Sequence, residues 1–315
     1  MKDKKETQRK EEISKMSSNS SKLLIVSKTI FHTLNNCDEM LCSFVKNYNV
    51  VLPYTLAIEC VISEPGKKPD KEPEKLIRGL YKSIQAGAKI GYQSPELLSI
   101  EMDTQGPIES VINEARTQQY KNSAPEIYKD RIIQATNSYK DVTQRKIDEL
   151  LERAKRLYKV ISKDEEFMKL FDKLRRREER YQMWVQIMDH KNFVKNVVKK
   201  DFTEKISSRA DTNWYTWQLT RLWCAYCLDW SYKKSLPCSC EKKDISNDFY
   251  DIEPVLYLLR ADGLLTNDQK LEIPLAKAAY PQKIVFEVDT RLNNSRNVKN
   301  IYDDIVNIIP QSYRL

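Results

Sequence analysis

A chain of 315 residues is long enough to bury a sizeable core, and its 41% hydrophobic and 10% aromatic content is typical of a folded protein. It has no run of about 18 apolar residues and its polar N-terminus lacks an apolar stretch, which argues against a membrane span and a signal peptide. We therefore expect a cytoplasmic protein whose seven cysteines are reduced or bind a metal.

The net charge of +8 is unevenly distributed along the chain. Residues 141–200 hold 17 Lys and Arg against 11 Asp and Glu. Such a segment suits a polyanion, and a phosphate backbone bound in a salt-dependent way is the commonest example. A solvated helix surface with interspersed ion pairs explains these charges equally well.

The scarce residues exclude several kinds of site. The six glycines form neither a GxGxxG nor a GxxxxGK pattern, which argues against these nucleotide-binding loops. His32 and His190 are the only histidines, so an HExxH zinc pair cannot form. Any catalysis is expected to depend on carboxylates.

The first predicted elements alternate between strand and helix. Residues 1–20 are polar and predict a disordered tail. KLLIVSKTI, residues 22–30, predicts a buried strand that a helical stretch follows. NVVLP, residues 49–53, predicts a second strand, and YTLAIECVIS predicts a short helix that carries Glu59. This order indicates a parallel βαβ unit.

The middle of the chain has a different pattern. EPGKKPDKEPEK, residues 64–75, predicts a surface loop, and helical periodicity continues to about residue 235. Helix and strand patterns alternate again from Asp248, through DIEPVLYLLRA, GLLT, QKLEIPLAKAAY and KIVFEV. We therefore predict an α/β domain with a central parallel sheet, residues 21–64 and 245–315, interrupted by a helical insertion, residues 65–244.

Three acidic residues lie where this fold would bring them together. Strand carboxyl ends share one edge of a parallel sheet, where Glu59 and Asp268 follow their strands and Asp251 begins the helix that leads into the strand GLLT. Clustered carboxylates favour Mg²⁺ or Mn²⁺, and paired metals of this kind cleave phosphodiesters. Asp248 and Asp262 are weaker candidates, because an aspartate beside a helix or strand is often only a cap or a turn residue.

Two stretches of the chain resemble PIN domains. NDFYDIEPVLYLLRADGLLTNDQKLEIPLAKAAYP is similar to the C-terminal half of these domains, and VVLPYTLAIE is similar to their second strand and following helix. The resemblance covers about residues 22–64 and 245–290. It implies a three-layer α/β/α fold of the flap-nuclease-like superfamily and a ribonuclease that needs Mg²⁺ or Mn²⁺. It also implies that Glu59, Asp251 and Asp268 are its catalytic metal ligands.

One position departs from the family pattern. PIN domains have an acidic residue at the end of the first strand, where this chain has Ser27 followed by Lys28. Asp248 could partly replace that carboxylate, and Thr266 and Asn267 could orient the site or simply form its turn. Two functions follow: a metal-dependent ribonuclease, or a catalytically impaired PIN-like domain that binds RNA or a protein. The helical insertion could also bind a protein partner.

A second group of candidate ligands lies near the end of the insertion. Cys224, Cys227, Cys238 and Cys240 could bind a structural Zn²⁺, although the CxC spacing of the second pair is less usual and packed free thiols are the alternative. The same segment holds Trp214, Trp217, Trp223 and Trp230. Their helical spacing favours a core role over base stacking.

Overall fold

The computed structural model describes residues 21–59, 72–123, 158–174, 176–189, 210–235, 245–288 and 298–315, together with residues 148, 152, 155 and 156. The predicted disordered tail, residues 1–20, lies outside this part of the chain, as does much of the predicted helical insertion.

Five parallel strands form one sheet in the order β3-β2-β1-β4-β5. Their bounds are β1 Leu23–Val26, β2 Asn49–Leu52, β3 Lys89–Ile90, β4 Gly263–Thr266 and β5 Ile284–Glu287. Ile25 of the central strand pairs with Val51 on one side and with Leu264 on the other. The predicted α/β class with a central parallel sheet is confirmed.

Helices connect the strands and cover the sheet. Before β4 in the chain they are α1 Lys28–Leu34, α2 Asp38–Asn47, α3 Tyr54–Glu59, α4 Glu72–Ala86, α5 Ser94–Thr104, α6 Glu114–Lys121, α7 Glu165–Phe171, α8 Arg177–Asp189, α9 Tyr215–Ser235 and α10 Ile245–Tyr257. After β4 come α11 Glu272–Ala279 and α12 Val298–Ile308, and a short 3₁₀ turn, Gln311–Tyr313, lies near the C-terminus.

Three boundaries differ from the sequence prediction. The strand predicted for residues 22–30 ends at Val26, because Ser27 is the N-cap residue of helix α1, which begins at Lys28. Helix α4 begins at Glu72, inside the stretch predicted as a loop. Strand β3 lies within the range assigned to the insertion, because two residues are too few to produce a recognisable strand pattern.

The two faces of the sheet belong to two hydrophobic clusters. Alternation along the strands sends Leu24 and Val26 to one cluster and Ile25 to the other. The cluster that contains Ile25 also contains Trp214 and Trp223 of the long middle segment, both less than 10% exposed. The middle helices therefore share a core with the sheet, and these two tryptophans are core residues.

Buried polar contacts fix the N-terminal part of helix α9. The carboxylate of Glu101, which is fully buried, accepts the backbone N–H of Tyr215 at 2.6 Å and that of Thr216 at 2.8 Å. Further along, Arg221 donates from Nε to Asp189 at 2.7 Å and from Nη1 to the Ala279 carbonyl at 3.0 Å. These contacts join α9 to helices α5, α8 and α11.

Candidate active site at the carboxyl edge of the sheet

The strand order places a change of winding direction between β1 and β4. From β1 the chain continues to β2 on one side of it, whereas β4 pairs with its other side. Parallel sheets bind ligands at the carboxyl ends of strands where such a change occurs. This part of the sheet, here called the carboxyl edge, is where Ser27 and Asp268 follow their strands.

Ser27 lies buried at the end of β1. Its backbone N–H donates to the Leu265 carbonyl of β4 at 3.0 Å, and its hydroxyl lies 3.1 Å from that of Thr29. It therefore occupies the position predicted from the family pattern, next to the strand that leads to Asp268. At this position the chain supplies a hydroxyl that already has a hydrogen-bond partner and no carboxylate.

Asp268 is partly buried in the turn between β4 and α11. Its Oδ1 accepts the backbone N–H of Lys270 at 2.7 Å and that of Leu271 at 3.1 Å, and Oδ2 lies 3.4 Å from the Glu272 nitrogen. The carboxylate thus stabilises the first turn of the helix, as an aspartate before a helix commonly does. Oδ2 retains the greater capacity for a further ligand because its single contact is long.

Thr266 connects this turn to a buried carboxylate that sequence reasoning missed. The Thr266 hydroxyl accepts the Asp268 N–H at 3.0 Å and is hydrogen-bonded to the carboxylate of Glu272, whose residue is 3% exposed. Thr266 therefore stabilises the turn that holds Asp268, and its role in orienting a functional site stays a prediction. Asn267, which stands between Thr266 and Asp268 in the chain, is partly buried.

Helix α10 adds two of the predicted acids. It precedes β4 in the chain, so its first turns lie towards the carboxyl edge and its last turn leads back to the start of the strand. Asp248 accepts a hydrogen bond from the hydroxyl of Tyr226 at 2.7 Å, which ties it to α9. Asp251 is partly exposed, one helical turn further along.

Glu59 is the last residue of helix α3 in the described part of the chain, and its side chain lies outside that part. The convergence of Glu59, Asp251 and Asp268 within about 10 Å, the span of a shared metal site, therefore stays a prediction. Within the described residues, no group of three or more His, Cys, Asp or Glu side chains could hold a metal ion. The described His, Cys, Asp and Glu side chains therefore do not form a metal site by themselves, and a three-carboxylate site would need the side chain of Glu59.

Glu253, which is 1% exposed, is a buried acid near the carboxyl edge that was not among the residues predicted from the sequence. Its Oε1 accepts the Thr55 N–H at 3.1 Å, and its Oε2 accepts the Ser94 N–H at 3.1 Å and the Ser94 hydroxyl at 2.9 Å. Burial raises its pKa to about 7, although the hydrogen bonds from Thr55 and Ser94 act in the opposite direction. The signal in the sequence was a single carboxylate inside the apolar run IEPVLYLL.

Because Thr55 is the second residue of α3 and Ser94 is the first residue of α5, Glu253 joins the two helices that follow β2 and β3. The N-terminal N–H groups of a helix have no partners within the helix, so one carboxylate here satisfies donors of two helices. It also sets where α3, the helix of Glu59, begins relative to α10.

Asp262 lies at the opposite edge of the sheet. Its carboxylate accepts the Leu23 N–H at 2.7 Å, and its backbone N–H donates to the Leu23 carbonyl at 3.0 Å. Strand β4 separates it from Asp268. Asp262 therefore connects the starts of β1 and β4 and does not contribute to the carboxyl edge.

Two of the four cysteines predicted as zinc ligands lie on α9. Cys224 and Cys227 are not disulfide-bonded and are 6% and 0% exposed in the hydrophobic core. Burial raises the pKa of Cys227 well above its usual value, with Cys224 adding to the effect. Zinc binding by these two thiols stays a prediction, and packed cysteines are the alternative. Cys238 and Cys240 lie outside the described residues.

Comparisons of the chain with protein-family models, curated proteins and solved structures give no match. The five-stranded parallel sheet in the order 3-2-1-4-5 is compatible with a PIN-like fold. No helix in the described ranges is both long enough and apolar enough to cross a membrane.

Proposed function

We propose that this chain is a PIN-like, divalent-metal-dependent nuclease that acts on RNA at the carboxyl edge. The observation that carries the proposal is the position of Asp268 at the end of β4, beside β1, where the winding direction of the sheet changes. The motif resemblance around Asp251 and Asp268 supports the same assignment.

In this proposal Glu59, Asp251 and Asp268 hold Mg²⁺ or Mn²⁺, and Asp248, which accepts a hydrogen bond from Tyr226, is not one of the ligands. A divalent metal bound here would supply an activated water and charge stabilisation for phosphodiester cleavage. Thr266 holds the Asp268 turn in place through its hydrogen bond to the Asp268 N–H. Glu253 holds the start of α3, the helix that carries Glu59.

A second function is favoured by the state of two site residues. Ser27 brings no carboxylate to the end of β1, and Asp268 Oδ1 already accepts two N–H hydrogen bonds, at 2.7 and 3.1 Å. Both features suit a PIN-like domain that has lost cleavage and binds RNA, or a protein, instead. The two functions share the carboxyl edge and differ in whether the bound strand is cut.

Cleavage of labelled single-stranded RNA with Mn²⁺, with and without chelator, separates these two functions. Asp268→Asn is the decisive variant, because the amide oxygen can still accept N–H bonds from the turn while the charge is lost. Asp303→Asn, at an exposed position of α12, is the matched control. The nuclease proposal predicts cleavage by wild type and control, and at least tenfold less cleavage by Asp268→Asn.

RNA binding measured in parallel interprets a negative result. Binding without cleavage by wild type would overturn the nuclease proposal and support the second function. Cleavage that is equal in wild type and Asp268→Asn would contradict the assignment of the site to this edge.

A further inference from the structure

Helix α8 places an arginine directly beside the turn that holds Asp268. Arg177, the first residue of α8, donates a hydrogen bond from Nη1 to the backbone carbonyl of Lys270. The N–H of the same Lys270 donates to Asp268 Oδ1 at 2.7 Å. One residue of backbone therefore connects the guanidinium to the candidate metal ligand.

Two further basic side chains lie close to Arg177 and share one carboxylate. Asp229, fully buried on α9, is 2.8 Å from Arg180 Nε and 2.5 Å from Lys233 Nζ. Burial lowers the pKa of Lys233, and the positive charges of Arg177 and Arg180 lower it further, although Asp229 opposes them. Arg180 and Lys233 are therefore paired with Asp229, and the negative charges of Asp172 and Asp248 also lie near this group.

The acidic residues next to Arg177 in the chain interact elsewhere. Glu179 accepts the backbone N–H of Arg176 at 3.2 Å. The pKa of Lys277 on α11 is raised mainly by its hydrogen bond to Glu287, and the negative charge of Glu178 raises it further. Arg177 is thus directed at the Asp268 turn without a carboxylate partner among the described residues.

We propose that Arg177 binds a phosphate of the RNA strand at the carboxyl edge, next to the position of the cleaved bond. The inference rests on the proposed function for the identity of the substrate. An arginine anchored by one Nη group keeps other N–H donors for a phosphate, and its planar fork suits two phosphate oxygens. Arg180 and Lys233 are paired with Asp229, so the phosphate contact is assigned to Arg177 alone.

Arg177→Gln tests this role separately from a structural one. Glutamine can still donate a hydrogen bond towards the Lys270 carbonyl but has no charge, so a purely structural role should survive the change. Lys169→Gln is the control, since Lys169 is 75% exposed and lies 3.9 Å from its partner Glu165. Binding of a labelled single-stranded RNA is measured for all three proteins over a salt series, with thermal unfolding to check the fold.

The expected result is about fivefold weaker binding by Arg177→Gln at low salt, with a salt slope about 0.7 smaller in magnitude, as for one lost single-strand phosphate contact. Equal losses in Arg177→Gln and Lys169→Gln, or no loss in either, would overturn the inference. If wild type binds RNA without cutting it and Arg177→Gln still binds more weakly, the phosphate contact is supported although the nuclease proposal fails. If wild type cleaves RNA, and Arg177→Gln binds and cleaves RNA to the same extent as wild type, only the arginine inference fails.

Discussion

Replacing Glu253 by glutamine should remove a specific pH dependence from the free energy of unfolding. The pKa of Glu253 rises from its usual 4.5 to about 7 in the folded protein, mainly through burial. At about 1.4 kcal/mol for each pH unit, this difference corresponds to ~3 kcal/mol. The group is 1% exposed, so solvent screening removes little of this energy.

The direction of this pH dependence follows from the raised pKa of Glu253 in the folded state. Below pH 4.5 the carboxyl is protonated in both states, and its contribution to stability is fully present. As pH rises from 4.5 to about 7, the unfolded state ionises first and stability is lost, up to the ~3 kcal/mol estimated for this shift. Glutamine does not titrate, so Glu253→Gln should show no such loss.

Urea unfolding of both proteins at several pH values between 5 and 8 measures this effect. The stability of wild type minus that of Glu253→Gln is the informative quantity, because other groups, including Glu101 with its raised pKa, occur in both proteins. The variant also loses part of its contact with the N–H groups of Thr55 and Ser94, at a cost of about 1–3 kcal/mol that does not depend on pH.

The expected difference falls as pH rises. A difference that stays constant would contradict the raised pKa. A difference that grows with pH would show that the helix N–H groups stabilise the carboxylate more than burial destabilises it.

Three other changes test separate parts of the structure. Gly79→Ala should destabilise the protein by roughly 1–3 kcal/mol in urea unfolding, because the alanine Cβ would lie 1.7 Å from Asn35 Oδ1. This loss is expected although alanine favours helices. Gly106→Ala, the control, should change the free energy of unfolding little. Cys227→Ser should leave the number of rapidly reacting thiols in the native protein unchanged, since the wild-type thiol is buried and protonated; a lost fast-reacting thiol would contradict this. Ser27→Asp should raise Mn²⁺-dependent RNA cleavage roughly 10²-fold, whereas the uncharged Ser27→Asn should not, and equal rates would refute the missing-carboxylate explanation.

Local patterns in the sequence were sufficient for most of the sheet. The apolar runs LLIV, NVVL, GLLT and IVFE form strands at or close to their predicted positions. The first three are buried on both faces, as inner strands of a parallel sheet are, whereas IVFE forms the partly exposed edge strand β5. The parallel arrangement followed from the helices between these runs. Asp268 was found in the same way, since it follows the strand GLLT after one intervening residue, whereas Ser27 was singled out by the resemblance to PIN domains.

Contacts between distant parts of the chain decided the remainder. Strand β3 is recognisable only by its pairing with β2, since two residues carry no periodicity. The role of Glu253 depends on Thr55, which lies 198 residues away, and the position of Arg177 depends on Lys270, 93 residues away. Hydrogen bonding and burial at such separations arise from packing in three dimensions, so neither the raised pKa of Glu253 nor the arginine beside Asp268 leaves a periodic signal in the sequence.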